Sequence, residues 1–99
     1  IVTPGSDSGL LFSMMPFLEE GDEVLVPDPS YPSNYLNCKL LGAKAVHVPT
    51  WYDDNYRIHI DELEKRVTKN TKMVLLTQPQ SCTGKIIWRN SQSLLFAMI

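Results

Sequence analysis

Several large classes of protein are excluded by what this sequence has little of. No apolar run approaches the ~20 consecutive residues that a membrane-spanning helix requires. Apolar runs such as 24–26 and 94–99 are far shorter, so no membrane partner is expected. Positive charge is not in excess. The formal net charge is −2, and without clustered Lys and Arg a nucleic-acid partner is not expected either. Cysteine and histidine are scarce. Cys38 and Cys82, with His47 and His59, stand at unrelated spacings that make neither a disulfide framework nor a zinc pattern. Two reduced thiols and no secretory leader lead to the expectation of a cytoplasmic location.

What remains is ordinary globular composition. The chain has 99 residues, 43% apolar and 20% charged. That suffices for one small domain, with a core that hides about two-thirds of the surface of the unfolded chain. Ile1-Val2-Thr3 reads as a strand already under way, and 94–99 breaks off with no capping or stop signal. The expectation is a partial domain over 1–99, truncated at both ends, in a larger protein or in the gene.

Short apolar runs alternate with helical spacing. Strands are expected at 1–3, 23–26, 45–48 and 72–76, with a further short one at 86–88. Helices are expected at 10–20, 31–41 and 61–67, with the start of another at 91–99. Leu10, Leu11, Met14, Phe17 and Leu18 are spaced for one buried helix face. Pro16 should kink that helix or bring its end forward. Segment 51–59 reads as irregular or extended. Strands alternating with helices imply an α/β fold, a mainly parallel sheet with helices on both faces. The continuous apolar runs 24–26 and 73–76 are expected to be among its most buried segments.

In such sheets ligands bind beyond the carboxyl ends of the strands, which directs attention to three loops. Pro4-Gly5-Ser6-Asp7-Ser8-Gly9 opens a helix. Its free N–H groups at Ser6, Asp7 and Ser8 either form a plain N-terminus or bind phosphate. Asp7 suits a helix start but opposes a phosphate unless its side chain turns away. Pro27-Asp28-Pro29-Ser30-Tyr31-Pro32 is stiffened by proline and carries an aromatic, Tyr31, which either stacks on a flat ligand ring or packs on its own helix. Tyr35, one turn on, reads as packing. Gln78-Pro79-Gln80-Ser81-Cys82-Thr83-Gly84 offers amides and hydroxyls. A nucleophilic Cys82 needs a base or positive charge nearby to lower its pKa, and no His is near in sequence, so an inert loop thiol is preferred. His47 reads as a structural histidine in an apolar strand, and His59 as a surface one.

Taken together, from Ile1 to about Gly84, these segments resemble the class I/II aminotransferases, the fold-type-I enzymes dependent on pyridoxal 5'-phosphate. VTPGSDSGL is similar to the family's phosphate turn. LEEGDEVLVPDPSYP is similar to the leader into its ring-stacking aromatic. LGAKAVHVP and YRIHIDELEKRVTKNTKMVLL resemble the segments that follow, and TQPQSCTG stands where the family has Asn-Pro-x-Asn-Pro-Thr-Gly. The resemblance implies cofactor-binding roles for Ser6 and Asp7 at the phosphate, Tyr31 at the ring, Ser81 at the ring hydroxyl, and Thr83 with Gly84 at the end of the motif. Ser81 and Cys82 depart from the family's Asn-Pro, and with the proline goes the cis bond expected before it.

The resemblance also implies amino acid and 2-oxo acid substrates, amino-group transfer in the complete enzyme, and a homodimer. In the family the lysine that carries the cofactor, the aspartate at the pyridine nitrogen and the arginine for the substrate carboxylate all follow the third loop. Lys39, Lys44, Lys65, Lys69, Lys72 and Lys85 stand outside the family's lysine context. No catalytic residue is therefore assigned within this chain, and alone it is expected to be inactive and to self-associate. Two alternatives stay open: a non-catalytic remnant or interaction module, and a β-lyase or decarboxylase of the same fold.

Overall fold

The computed structural model describes residues 1–87. Its centre is strand β1 (Glu23–Asp28), flanked by β2 (Lys44–Pro49) and β3 (Thr71–Val74) in the order β2-β1-β3, with both pairings parallel. Helix α1 (Ser6–Met14) precedes β1, α2 (Pro32–Leu40) links β1 to β2, and α3 (Ile60–Glu64) lies between β2 and β3.

Side-chain alternation along β1 divides the interior into two layers. Val24 and Val26 pack with Met14, Leu18, Cys38 and Ala43, beneath α1 and α2. Leu25 packs with Val48 and Leu63, beneath α3. Val24, Leu25 and Val26 are completely buried, as an unbroken apolar run in a doubly covered strand should be. The sheet is thus parallel with helices on both faces, as the alternation of elements implied.

The differences from the expected elements have physical causes. Segment 1–3 forms no strand, and instead turns through a Gly5 N–H bond to the Thr3 carbonyl (2.8 Å). Helix α1 begins at Ser6, because Gly5 at φ 93° makes the whole bend. It ends before Pro16, whose ring would clash with the carbonyl four residues back and which has no N–H to donate. Phe17 therefore lies beyond the helix and is 68% exposed rather than on the buried face.

Strand β1 runs through Pro27 to Asp28. In a parallel strand each residue directs both backbone groups to one side. Glu23 N–H bonds Asn70 and the Leu25 carbonyl accepts from Leu75, so Glu23, Leu25 and Pro27 face β3. The β3 ladder stops at Leu25, so the missing N–H of Pro27 breaks no bond. Strand β3 ends at Val74, and Met73, Val74, Leu75 and Leu76 are half-buried rather than deeply buried, since β1 alone flanks them among the described residues. Segment 51–59 contains a short 3-10 turn (Tyr52–Asp54) leading into Asn55 and Tyr56 at positive φ. Helix α3 is shorter than expected, its exit tightened by Arg66 and Val67 N–H bonds to the Leu63 carbonyl. Ile86 and Ile87 lie outside any strand. Trp88 and the expected helix at 91–99 fall outside the described residues. No described helix is long and apolar enough to cross a membrane.

His59 is only part-exposed. Its ring bonds the Asp54 carboxylate and meets Trp51 edge-on at 5.6 Å. The bond from His59 holds the Asp54 carboxyl below its usual range.

Two outcomes follow from this packing. Leu25→Ala should lower the unfolding free energy by about 2–5 kcal/mol through the cavity it leaves, read in urea as a lower midpoint at unchanged slope. Phe17→Ala should change it by less than about 0.5 kcal/mol. Because the folded pKa of Asp54 is depressed, its contribution is complete above the unfolded carboxylate value of about 3.9 and disappears as pH falls through the folded one. NMR titration of the Asp54 carboxyl should give a midpoint below the ordinary value, which rises toward it in His59→Ala.

Candidate functional site

The strand order reverses at β1: the chain leaves β1 for one neighbour and returns across it to the other. Such reversal points open a crevice at the carboxyl ends of the strands. The first and second loops meet there, and the third folds against the second.

The first loop presents the N–H groups of Ser6, Asp7 and Ser8 at the start of α1, and none has an acceptor among the described residues. The Asp7 carboxylate turns aside to accept a bond from Ser33 Oγ (2.9 Å). That bond fastens the start of α1 to the start of α2. Tyr31 is the residue immediately before α2, held in an extended conformation with its ring half-exposed. It does not bury itself against its own helix.

The second loop is held from below by Asn34. This residue is almost wholly buried, and its Nδ2 donates to Ser30 Oγ (2.6 Å) and Thr77 Oγ1 (3.2 Å), which joins the loop to the segment that follows β3. Thr50 donates to the Asp28 carbonyl through both its N–H and its hydroxyl (3.0 and 2.8 Å). Tyr35 is part of the framework: its hydroxyl donates to Asp28 Oδ1 (2.9 Å) and its ring stacks on His47 at 4.5 Å. Burial, and then the Asp28 carboxylate, push the Tyr35 phenol well above its usual range, so it stays a donor. His47 is a half-exposed stacking partner with Nδ1 3.7 Å from Asp28, not a histidine inside the core.

The third loop is closed by its own bonds and by one to the second. Gln80 N–H donates to the Lys85 carbonyl (2.8 Å), and Gly84 N–H donates to the Gln80 carbonyl (2.7 Å). Gln80 Nε2 donates to the Pro29 carbonyl. The peptide bonds Asp28–Pro29 and Gln78–Pro79 are cis. Ser81 is exposed, with its hydroxyl 3.9 Å from Cys82 Sγ, and Cys82 is an exposed free thiol. Thr83 Oγ1 accepts from Lys85 N–H (3.2 Å). With Lys85, Ile58 and Leu76, Thr83 lines a cavity of about 20 Å³, room for roughly one water. Ser6, Asp7, Tyr31 and Ser81 are absent from that lining. Of the residues singled out from sequence, Ser6, Asp7 and Tyr31 are therefore brought to one place, while Thr83 spends its hydroxyl within its own turn.

The residues that assemble the site, Ser33, Asn34, Thr77 and Gln80, carry no local sequence signature of that role. One indirect signal was present. Asn34 and Asn37, three apart in a helix, share a side with Cys38, and all three are buried; buried polar side chains call for partners, which Asn34 finds in Ser30 and Thr77, while Asn37 Nδ2 has none among the described residues.

Comparison with known proteins bears on this arrangement. The sequence profile described as aminotransferase class I and II matches residues 1–93. Among similar proteins, an aspartate aminotransferase of Pyrococcus abyssi is 36% identical over 87 residues, covering 88% of this chain and 22% of the relative. An aromatic-amino-acid aminotransferase of Thermococcus litoralis is 34% identical over 87 residues, covering 88% of this chain and 22% of the relative. Among solved structures, an aspartate aminotransferase from Thermotoga maritima superposes with a TM-score of 0.94 at 30% identity, covering 99% of this chain and 26% of that one. The chain thus spans roughly a quarter or less of the length of the relatives it matches. With a profile that runs through all three loops and a parallel core that superposes on solved aminotransferases, the chain belongs to the class I and II aminotransferase family.

Proposed function

We propose that this chain forms the phosphate-holding and ring-stacking part of a pyridoxal-phosphate site, within an enzyme that transfers an amino group between an amino acid and a 2-oxo acid. The observation that carries the proposal is the meeting of free helix-start N–H groups with an exposed aromatic ring through the Asp7–Ser33 bond. A phosphate accepts from the Ser6, Asp7 and Ser8 N–H groups, favoured by the positive end of the α1 dipole. The Asp7 carboxylate, occupied by Ser33, does not point its charge at that phosphate. Tyr31 offers one face to a flat heteroaromatic ring. The residues present fit the group. When bound, the cofactor supplies the electron sink that makes the substrate α-proton removable; this chain's part is to hold and orient it.

Aminotransfer is preferred to lyase or decarboxylase chemistry because the similar proteins named above are aminotransferases. A homodimer belongs to the proposal as well. The exposed side chains of Phe12 on α1, Met15 just past its end, and Leu36 and Leu40 on α2 support burial of those helices against further protein.

Two outcomes test the proposal. Tyr31→Ala should weaken binding of pyridoxamine 5'-phosphate about 5–10-fold, matching the ~1 kcal/mol of an aromatic stack, while inorganic phosphate still competes. Calorimetry on the 99-residue chain reads both, and an unchanged affinity would count against Tyr31 as the ring's support. Borohydride reduction of the chain with pyridoxal phosphate should leave no single lysine stoichiometrically labelled by mass spectrometry, and no transamination should be seen. One fully labelled lysine together with turnover would overturn the absence of a catalytic lysine here.

A further inference from the structure

We propose that Gln80 is a positioning residue for Tyr31, a latch whose carboxamide couples the third loop to the second; its effect on cofactor affinity rests on the function proposed above. Both ends of the carboxamide are engaged. Oε1 accepts from Cys82 N–H (2.7 Å), and Nε2 donates to the Pro29 carbonyl, two residues before Tyr31. The first bond fixes which way the amide faces, and the second uses that orientation to hold the neighbouring loop.

The base of the latch is itself fixed. Gln80 N–H bonds the Lys85 carbonyl and the Gln80 carbonyl accepts from Gly84, so the backbone that carries the side chain is locked at both groups. On its other side the second loop is held by Asn34, through Ser30 and Thr77. Pro29 and Ser30 are thus gripped from the third loop and from the segment after β3, and Tyr31 follows with no side-chain hydrogen bond among the described residues. Two backbone-anchored side-chain amides therefore hold the residues just before Tyr31. Cys82 contributes its backbone N–H, and its thiol has no part in the latch.

The test compares Gln80→Ala, Gln80→Glu and Cys82→Ala in the full 99-residue chain, using 15N relaxation of the backbone amides. Ser30 and Tyr31 should have order parameters near ~0.85 in the parent and below ~0.6 in Gln80→Ala. In Gln80→Glu at neutral pH the carboxylate still accepts from Cys82 N–H but cannot donate to Pro29. There the second loop should loosen equally while the Cys82 amide stays protected from exchange. Cys82→Ala keeps the N–H and should match the parent throughout. Pyridoxamine 5'-phosphate should bind Gln80→Ala at least about 5-fold more weakly, with inorganic phosphate affinity unchanged within about 2-fold. Unchanged Ser30 and Tyr31 order parameters in Gln80→Ala overturn the latch. Loosening without loss of pyridoxamine phosphate affinity overturns its role in positioning the ring support. A parent chain that binds no pyridoxamine phosphate refutes the proposed function, while the order parameters still decide whether the latch exists.

Discussion

Everything in this structure hangs on the backbone of β1. It is the one described strand bonded on both sides, and its alternating groups serve two neighbours in turn: Glu23 and Leu25 toward β3, Asp28 and, just before the strand, Asp22 toward β2. Both pairings are parallel, so all three strands deliver their carboxyl ends to one edge. That is what lets loops far apart in sequence meet. The same strand separates the two apolar layers, so its side chains are buried from above by α1 and α2 and from below by α3. A polar side chain at Val24, Leu25 or Val26 would have no water and no partner.

The fold was largely legible because burial on both faces writes itself as uninterrupted apolar runs. Val24, Leu25 and Val26 could be read directly. What was not legible came from interactions that periodicity does not encode. Pro27 reads as a strand terminator, yet it is tolerated because the β3 ladder has already stopped on the side its nitrogen faces. Phe17 has the spacing of a buried helix face, but Pro16 removes the helix that would have put it there. Half-burial of Met73 to Leu76 reflects position in the sheet, which composition does not report.

The site divides along the same line. Ser6, Asp7 and Tyr31 could be found because helix starts and aromatics after strands have local signatures. Ser33, Asn34, Thr77 and Gln80 join segments up to 51 residues apart, as in the Gln80 bond to Pro29, and no local pattern announces such a partner. Even Asp7, ambiguous as a charge beside a proposed phosphate, is explained only by Ser33, whose hydroxyl draws the carboxylate aside.

The third loop shows how a departure from a family motif can be accommodated by different chemistry. Where the family has proline at position 82, this chain has cysteine, and the rigidity that proline brings to a turn is lost. But proline also has no N–H. Cysteine restores that donor, and it is this N–H that engages Gln80 Oε1. With Gly84 and Lys85 also bonding back to Gln80, and Lys85 N–H to Thr83 Oγ1, the part of the loop after Pro79 is closed by hydrogen bonds where a second proline would have fixed a torsion. Each bond contributes only about 1 kcal/mol net, so the closure depends on several acting together. A covalently stiff turn holds its shape alone, whereas one built from bonds holds it only while its partners stay in place. Gln80 is the member common to most of those bonds and also reaches across to Pro29, so the closure of the third loop and one of the holds on the second pass through the same residue.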